Sequence, residues 1–360
     1  VIYLDYQAST PLAPEAREAM LPWLGGAAGV GFANPHSAHR AGRMAAAAVE
    51  IARAQVAALL PAGGKVIFTS GATEALNLAI YGRKPRQLLV SVIEHAAVLD
   101  CVQAVGAMTQ MLAVDAAGLV DPEATIPPGT DLVALMQVNN EIGTVQPVAQ
   151  IAARAHAAGA LLLCDAVQGA GKLAAPEGAD LIAISAHKLY GPKGIGALWV
   201  RDGVDLTPLM HGGGQQGGLR SGTLSPALCA GFGVAAALCQ RLAISDGQHV
   251  ENLWNSAIAA LPGWTLNGSA AQRWHGNLNL RRNGLDVARL MSDCRNLAFS
   301  AGSACASGSG RPSHVLRALG LTGAQAKSSI RLGFGRYTQI REIEDACAEI
   351  KAAAAAQGDC

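Results

Sequence analysis

Between residues 65 and 185 the chain alternates short apolar runs with longer segments whose apolar positions recur every three or four residues. The short runs read as strands buried on both faces, the longer segments as helices laid over them. Strands are predicted over residues 65–69, 87–93, 109–114, 132–138, 160–164 and 180–185. Helices are predicted over 72–82, 95–105 and 147–158, the last ended by Gly159 just past its final turn. Ahead of this series, Thr10-Pro11 and Pro14-Glu15 open a helix to about residue 24, and an Ala-rich helix covers roughly 38–60. This alternation predicts an α/β fold, a mostly parallel sheet with helices on both faces.

From about residue 264 the units shorten to an α+β pattern, with strands at 277–281, 297–300 and 328–334 and helices at 286–294, 312–319 and 339–356. In the 312–319 segment Pro312 stands just inside the predicted start and Gly320 past the end. Two helices, near 225–243 and 249–260, carry the chain between the two patterns. A large domain over 14–248 is therefore expected, with a smaller one built from 1–13 and 249–360. The Ala run at 352–356 is helix propensity at a chain end.

Composition narrows the class. With 360 residues, 51% of them hydrophobic and 15% charged, the chain can bury a large core. Lys and Arg number 27 against 26 Asp and Glu, which gives no electrostatic case for nucleic acid or an anionic membrane. Val1-Ile-Tyr-Leu-Asp5 lacks a basic region followed by an apolar one, and the Ala-rich runs are interrupted before membrane-spanning length. Eight cysteines lie scattered without a Cys-x-x-Cys or zinc-finger spacing, so no metal site or disulfide framework is predicted. A cytoplasmic protein is expected.

The candidate chemistry sits where predicted strands end. After 180–185 come Ser185, His187 and Lys188, then a Gly/Pro turn holding Lys193. A lysine at the carboxyl end of a strand is an ordinary solvated charge or, if desolvated, a Schiff-base former. Lys193, inside the turn, is expected to face solvent or backbone carbonyls. After 65–69, Ser70-Gly71-Ala72-Thr73-Glu74 opens a helix, as a simple cap or as a cradle for phosphate. Asp165 and Gln168 follow 160–164, and Asp165 can cap a helix, bind metal or pair with a protonated ring nitrogen. An anion cradle, a Schiff-base lysine and such a carboxylate at one sheet edge together suit pyridoxal phosphate. His95 follows Glu94 as a structural residue or as a ring-stacking proton carrier, and Asn140 adds an amide donor. Residues 210–223, rich in glycine and ending in Arg220 and Thr223, read as a linker, a phosphate loop or a subunit contact. Cys305 lies in the small-residue run Ser300–Gly310, an incidental thiol in a connector or an accessible, reactive one. Arg331, on a short strand, is a surface charge or a carboxylate clamp.

Taken together, Phe68-Thr-Ser-Gly-Ala-Thr-Glu74, Glu94-His95, Val138-Asn-Asn-Glu-Ile-Gly143, Asp165-Ala-Val-Gln168, His187-Lys-Leu-Tyr-Gly-Pro-Lys-Gly194, Arg220-Ser-Gly-Thr223, Ser303-Ala-Cys305 and Ser329-Ile-Arg331 resemble the cysteine desulfurase family. These are pyridoxal-phosphate enzymes of the class V aminotransferase fold, and the resemblance runs from Tyr3 to about Glu349. It implies that Lys188 holds the cofactor as a Schiff base, His95 stacks on its ring, Asp165 pairs with the pyridine nitrogen and Gln168 with the phenolic oxygen. It also implies that Ala72, Thr73, Ser185 and His187 bind the phosphate, with Thr223 reaching in from the other subunit of a homodimer. Asn140 and Arg331 would hold the carboxylate of L-cysteine, and Cys305 would accept its sulfur as a persulfide, leaving L-alanine. Positive charge at His95 or Arg331 would favour the Cys305 thiolate. The long small-residue run around Cys305 is similar to the type with a mobile cysteine loop, which supplies iron–sulfur clusters and nitrogenase through an acceptor such as a cluster scaffold. The tail ends sooner after the last helix than in members that dock a scaffold through it. Selenocysteine lyase, a class V aminotransferase and a non-catalytic sulfur-transfer scaffold are the other readings.

Overall fold

A computed structural model describes residues 1–26, 29–302 and 313–357. The chain opens with a short strand β1 (Ile2–Tyr3), then α1 (Pro14–Met20). This helix gives way to a 3-10 turn at Leu21–Trp23 rather than running to residue 24, because Pro22 has no N–H to continue the ladder. In α2 (Arg40–Ala57), Gly42, Ala45, Val49, Ala52 and Val56 fall on one buried stripe, and His39 Nδ1 caps the start by accepting from Gly42 N at 3.1 Å.

The large sheet is laid down by β2 (Gly64–Thr69), α3 (Ala72–Arg83), β3 (Gln87–Ser91), α4 (Ala96–Val105), β4 (Met108–Leu112), β5 (Leu132–Ala134), α5 (Val148–Ala157), β6 (Leu161–Asp165), β7 (Leu181–Ser185) and β8 (Gly196–Arg201). Its order is β2-β8-β7-β6-β5-β3-β4. All pairs are parallel except those of β8, which lies antiparallel between β2 and β7. That strand corrects the predicted series, which ended at residue 185. The apolar run Ile195–Val200 follows a Gly/Pro turn so closely that it reads as part of the turn. Gly196 permits the fit, since a Cβ there would lie 2.7 Å from the Gly71 carbonyl carbon. Regular pairing of β5 stops at Ala134, although Leu135 and Gln137 still donate to Leu163 and Asp165 carbonyls at 3.0 and 2.9 Å.

One helix, α6 (Pro226–Ala260), replaces the two predicted. Its midpoint Ser245-Asp246-Gly247 does not break, and Arg336 holds Asp246 through contacts of 2.8 to 3.2 Å. Phe232 and Ala235 join the core of the large sheet, whereas Val250, Leu253 and Trp254 join that of the small one. Among the described residues α6 is the helix long and apolar enough to cross a membrane, and half of its apolar stretch is buried in the protein. The packing on both sides is that of a core helix.

The remaining elements are β9 (Thr265–Leu266), β10 (Asn277–Arg281), α7 (Val287–Asp293), β11 (Leu297–Ala298), β12 (Ser300–Ala301), α8 (His314–Ala318), α9 (Gly323–Lys327), β13 (Ser329–Gly333) and α10 (Ile340–Ala355). An antiparallel sheet runs β12-β13-β10-β9, and β1 pairs in parallel with β11. The strand predicted over 297–300 is split at buried Phe299, so that its halves serve different sheets. Helix α8 starts at His314, capped by Ser313, rather than at residue 312. Its cap hydroxyl accepts from Leu316 N at 3.0 Å.

Candidate active site

Strands β2, β3, β5, β6 and β7 deliver their carboxyl ends to one side of the large sheet, where a cleft of about 450 Å³ opens. Ala72, Thr73, His95, Asn140 and Asp165 line it, as do Gln168, Ser185, His187, Lys188 and Arg331. They reach it from the ends of five strands, β2, β3, β5, β6 and β7, and, for Arg331, from the small sheet.

The anion end is the start of α3. Gly71 caps it without a side-chain hydrogen bond, so the first-turn amides face the cavity with the positive end of the helix dipole behind them. Glu74 is turned away, accepting from Ser70 N at 2.7 Å and from Arg220 at 2.7 and 3.1 Å. Burial acts to raise its carboxyl, but Arg220 and Ser70 outweigh burial and hold it below the usual range. That pair ties the 210–223 segment to the cradle. Thr223 itself is exposed and lies outside the cavity lining of its own chain.

Lys188 ends a 3-10 turn, Ala186–Lys188, that follows β7 directly. Its Nζ donates to the carbonyl oxygens of Gln7 and Ala8, the latter at 2.8 Å. The N-terminal segment thus crosses the mouth of the site, a feature with no periodic signal to announce it. Thr10 secures it, donating to His187 O at 3.0 Å and accepting from Tyr190 N at 2.7 Å. His187 lies 3.3 Å from Ser9 Oγ. Burial and the neighbouring charges of Lys188, Lys193 and Lys172 push its imidazole down to about 4, so it is neutral at neutral pH. Lys193 lines the rim of the cavity while remaining exposed, a site position as well as the solvent-facing one expected.

Asp165 is buried, its Oδ1 accepting from Val167 N at 3.0 Å. Burial raises its carboxyl, opposed by that amide, by His95 and by Lys188. His95 caps α4, with Nδ1 accepting from Ala97 N at 3.1 Å, which leaves the proton of the neutral ring on Nε2. Burial lowers its pKa. A neutral ring corrects the expectation that His95 lends positive charge to a thiolate; it suits stacking and proton transfer instead. Gln168 Nε2 donates to Gln7 O at 3.0 Å, and its buried Oε1 has no partner among the described residues.

Asn140 sits in a tight turn made by Asn139, whose Oδ1 accepts from Glu141 N and Ile142 N at 2.8 and 3.0 Å. Asn139 is wholly buried and structural, leaving Asn140 on the cavity. Arg331, 1% exposed, donates from Nη1 to Asn140 O at 3.0 Å and from Nη2 to Asp5 Oδ1 at 2.6 Å. Its charge is therefore compensated, a second departure from the expected thiolate-favouring cation. Cys305 lies outside the described residues.

Beneath the site Glu94 is a residue the sequence reading passed over. Its Oε1 accepts from Met136 N at 2.6 Å, Oε2 has no partner among the described residues, and burial together with Asp165 raises its pKa well above the carboxylate range. A raised carboxyl binds a proton that the unfolded chain has already lost, so it costs stability as pH rises from about 4.5 towards the folded value. Glu94→Gln keeps the acceptor for Met136 and removes that penalty. Thermal melts should show the variant gaining on the parent between pH 5 and pH 8, at roughly 1–2 °C per kcal/mol recovered. A gap that narrows with pH would contradict a protonated Glu94.

The donor set fits pyridoxal phosphate: amides for a phosphate, a buried carboxylate for a pyridinium, an amine, and a buried Gln168 oxygen without a partner among the described residues, all in one cleft. Comparison with known proteins agrees. The aminotransferase class-V family model matches residues 2–345. "Cysteine desulfurase IscS" of Rickettsia bellii is 42% identical over 95% of this chain and 88% of its own length. The counterpart from Rickettsia akari is 43% identical over the same shares. Among solved structures, a "NifS-like protein" superposes with a TM-score of 0.89 at 28% identity, covering 98% of both chains. SspA, solved in complex with cysteine, superposes at 0.81 with 36% identity, covering 94% of this chain and 100% of its own.

Proposed function

We propose, from the premise that the chain belongs to the aminotransferase class-V family, that its cavity takes L-cysteine, moves the sulfur to Cys305 and releases L-alanine. The enzyme is a pyridoxal-phosphate-dependent cysteine desulfurase. The observation that carries the residue assignment is the meeting of Lys188, Asp165, the amide-lined start of α3 and Arg331 in one cleft.

The bound cofactor supplies an electron sink at the substrate's α-carbon. Ala72, Thr73, Ser185 and His187 would hold its phosphate, Asp165 would keep its ring nitrogen protonated, and His95 would stack on its ring. Arg331 and Asn140 orient the substrate carboxylate, which points the α-hydrogen at Lys188. Lys188 Nζ, steadied by the Gln7 and Ala8 carbonyls, takes that proton and returns one. Thiolate Cys305 attacks the substrate sulfur; the bond from sulfur to Cβ breaks with its electron pair left on carbon, which takes a proton. The products are alanine and a persulfide on Cys305.

Around this chemistry we place a large domain over 14–248 and a small one over 1–13 and 249–360, with α6 continuous across the junction. Exposed Thr223, on the loop tied to the cradle by Arg220, completes the phosphate site of a second copy in a homodimer. The persulfide passes to an acceptor protein of iron–sulfur cluster assembly. Six described cysteines are buried free thiols, which favours a reducing, cytoplasmic setting. Purified enzyme given cysteine and a thiol reductant should release alanine and sulfide in equal amounts. Keto-acid formation without sulfide would mean transamination and would overturn the assignment.

A further inference from the structure

Arg331 is held from behind. Asp5 Oδ1 accepts from its Nη2 at 2.6 Å, and Ser300 Oγ donates to the same oxygen at 2.9 Å while lying 3.3 Å from Nη2. Three chain segments converge to make this triangle. Ser300 stands directly opposite Arg331 in the β12–β13 pairing. Asp5 forms a parallel bridge with Gly333, two residues beyond Arg331. Gly333 has to be glycine for that approach, because a Cβ there would fall 2.9 Å from Tyr6 N and closer still to Gln7 Oε1.

The arrangement is directional. Arg331 lines the cavity and Asp5 does not, so the carboxylate backs the guanidinium instead of filling the place in front of it. Nη1 is occupied by Asn140 O, and the buried Nε has no partner among the described residues. A buried guanidinium without a counter-ion would attract any α-carboxylate through its full charge. With Asp5 behind it the pair is neutral, and an incoming carboxylate is gripped through hydrogen-bond geometry. This matters because substrate and product share that carboxylate: a site that held cysteine by charge would hold alanine as firmly, and tight binding common to both does nothing for turnover.

We propose that Asp5, fixed by Ser300, is a positioning residue that aims Arg331 and weakens its hold on the α-carboxylate so that alanine can leave. The proposal rests on the reading of Arg331 as the carboxylate clamp. Asp5→Asn and Asp5→Ala separate its two parts. The Asn variant keeps an oxygen for Nη2 and loses the charge; the KM for cysteine and the inhibition constant of alanine should both fall, about five- to twentyfold, with kcat lowered by slower release. The Ala variant loses the anchor as well, and its KM should rise about tenfold or more. Ser300→Ala should follow the Ala variant in direction with a smaller rise. Alanine titrated against the absorbance of the bound cofactor reads the affinity directly, and Arg331→Ala serves as the control that raises KM.

If Asp5→Asn and Asp5→Ala shift KM in the same direction, or leave it unchanged while Arg331→Ala raises it, Asp5 is only a structural anchor: the proposal falls and the clamp stands. An unchanged KM in Arg331→Ala overturns the clamp and the proposal with it.

Discussion

Lys188→Ala is expected to lower alanine formation from cysteine by at least about a thousandfold, because in the proposed mechanism one side chain carries both the covalent attachment of the cofactor and the proton transfer at the α-carbon. Lys188 stands directly after β7, beside the neutral imidazole of His187 and against the carbonyls of Gln7 and Ala8. Among the described residues the cavity lining offers one other amine, Lys193, which reaches its rim. Borohydride reduction followed by denaturation decides between the two. The parent should retain the reduced cofactor on the peptide that contains Lys188, Lys193→Ala should behave like the parent, and Lys188→Ala should release everything. Cofactor retained by Lys188→Ala and lost from Lys193→Ala would move the chemistry to the rim.

The parts of this site that could be read from the sequence are those the sheet delivers locally. Ala72, Thr73, His95, Asp165, Ser185, His187 and Lys188 each stand within a few residues of a strand end, and the apolar runs locate the strands. Parallel strands with right-handed crossovers then bring those ends to one edge, so local spacing becomes a shared cavity. Antiparallel β8 escaped notice because Gly194, Gly196 and Pro192 mark a turn more loudly than Ile195–Val200 marks a strand. The unbroken α6 escaped for the opposite reason: Ser245-Asp246-Gly247 looks like a break, and only the distant Arg336 shows why the helix continues.

Contacts between ends of the chain left no local trace at all. Arg331 and Asp5 are separated by 326 positions, and Lys188 and the Gln7 carbonyl by 181. A charged residue read by itself is a surface charge by default. Pairing, burial and the loss of its cationic excess emerge only once β1 has docked beside β11 and Tyr6 N has found Gly333 O. The same holds for His95, whose proximity to Asp165 was legible and whose neutrality was not, since neutrality follows from burial and from the charge on Lys188.

Cys305→Ala should leave the cofactor absorbance and its response to added cysteine intact and abolish sulfide and persulfide, with alanine formation down at least about a thousandfold. The loss should be this large because no described thiol can substitute. Burial pushes Cys101 and Cys294 up to about 11, and Cys229 and Cys347 up to about 12. It raises Cys164 and Cys239 as well, so all six are protonated at neutral pH and out of reach of a substrate. The positions that flank the Cys305 segment are anchored beside the site. Gly302 N donates to Ser329 O at 2.6 Å, two residues from Arg331, and Ser313 Oγ donates to Glu141 at 2.5 Å, next to Asn140. Two residues separate Gly302 from Cys305 in the sequence, so the connecting backbone can span at most about 11 Å. Exchange of the cysteine α-hydrogen with deuterium from the solvent should survive in Cys305→Ala, because the proposed mechanism gives that step to Lys188 without the thiol. Alkylation and mass mapping then locate any persulfide that forms in the variant. Persulfide on Cys360 at an undiminished rate would assign the sulfur transfer to the C-terminus; loss of α-hydrogen exchange together with the persulfide would mean that Cys305 is needed before the sulfur step, at substrate binding.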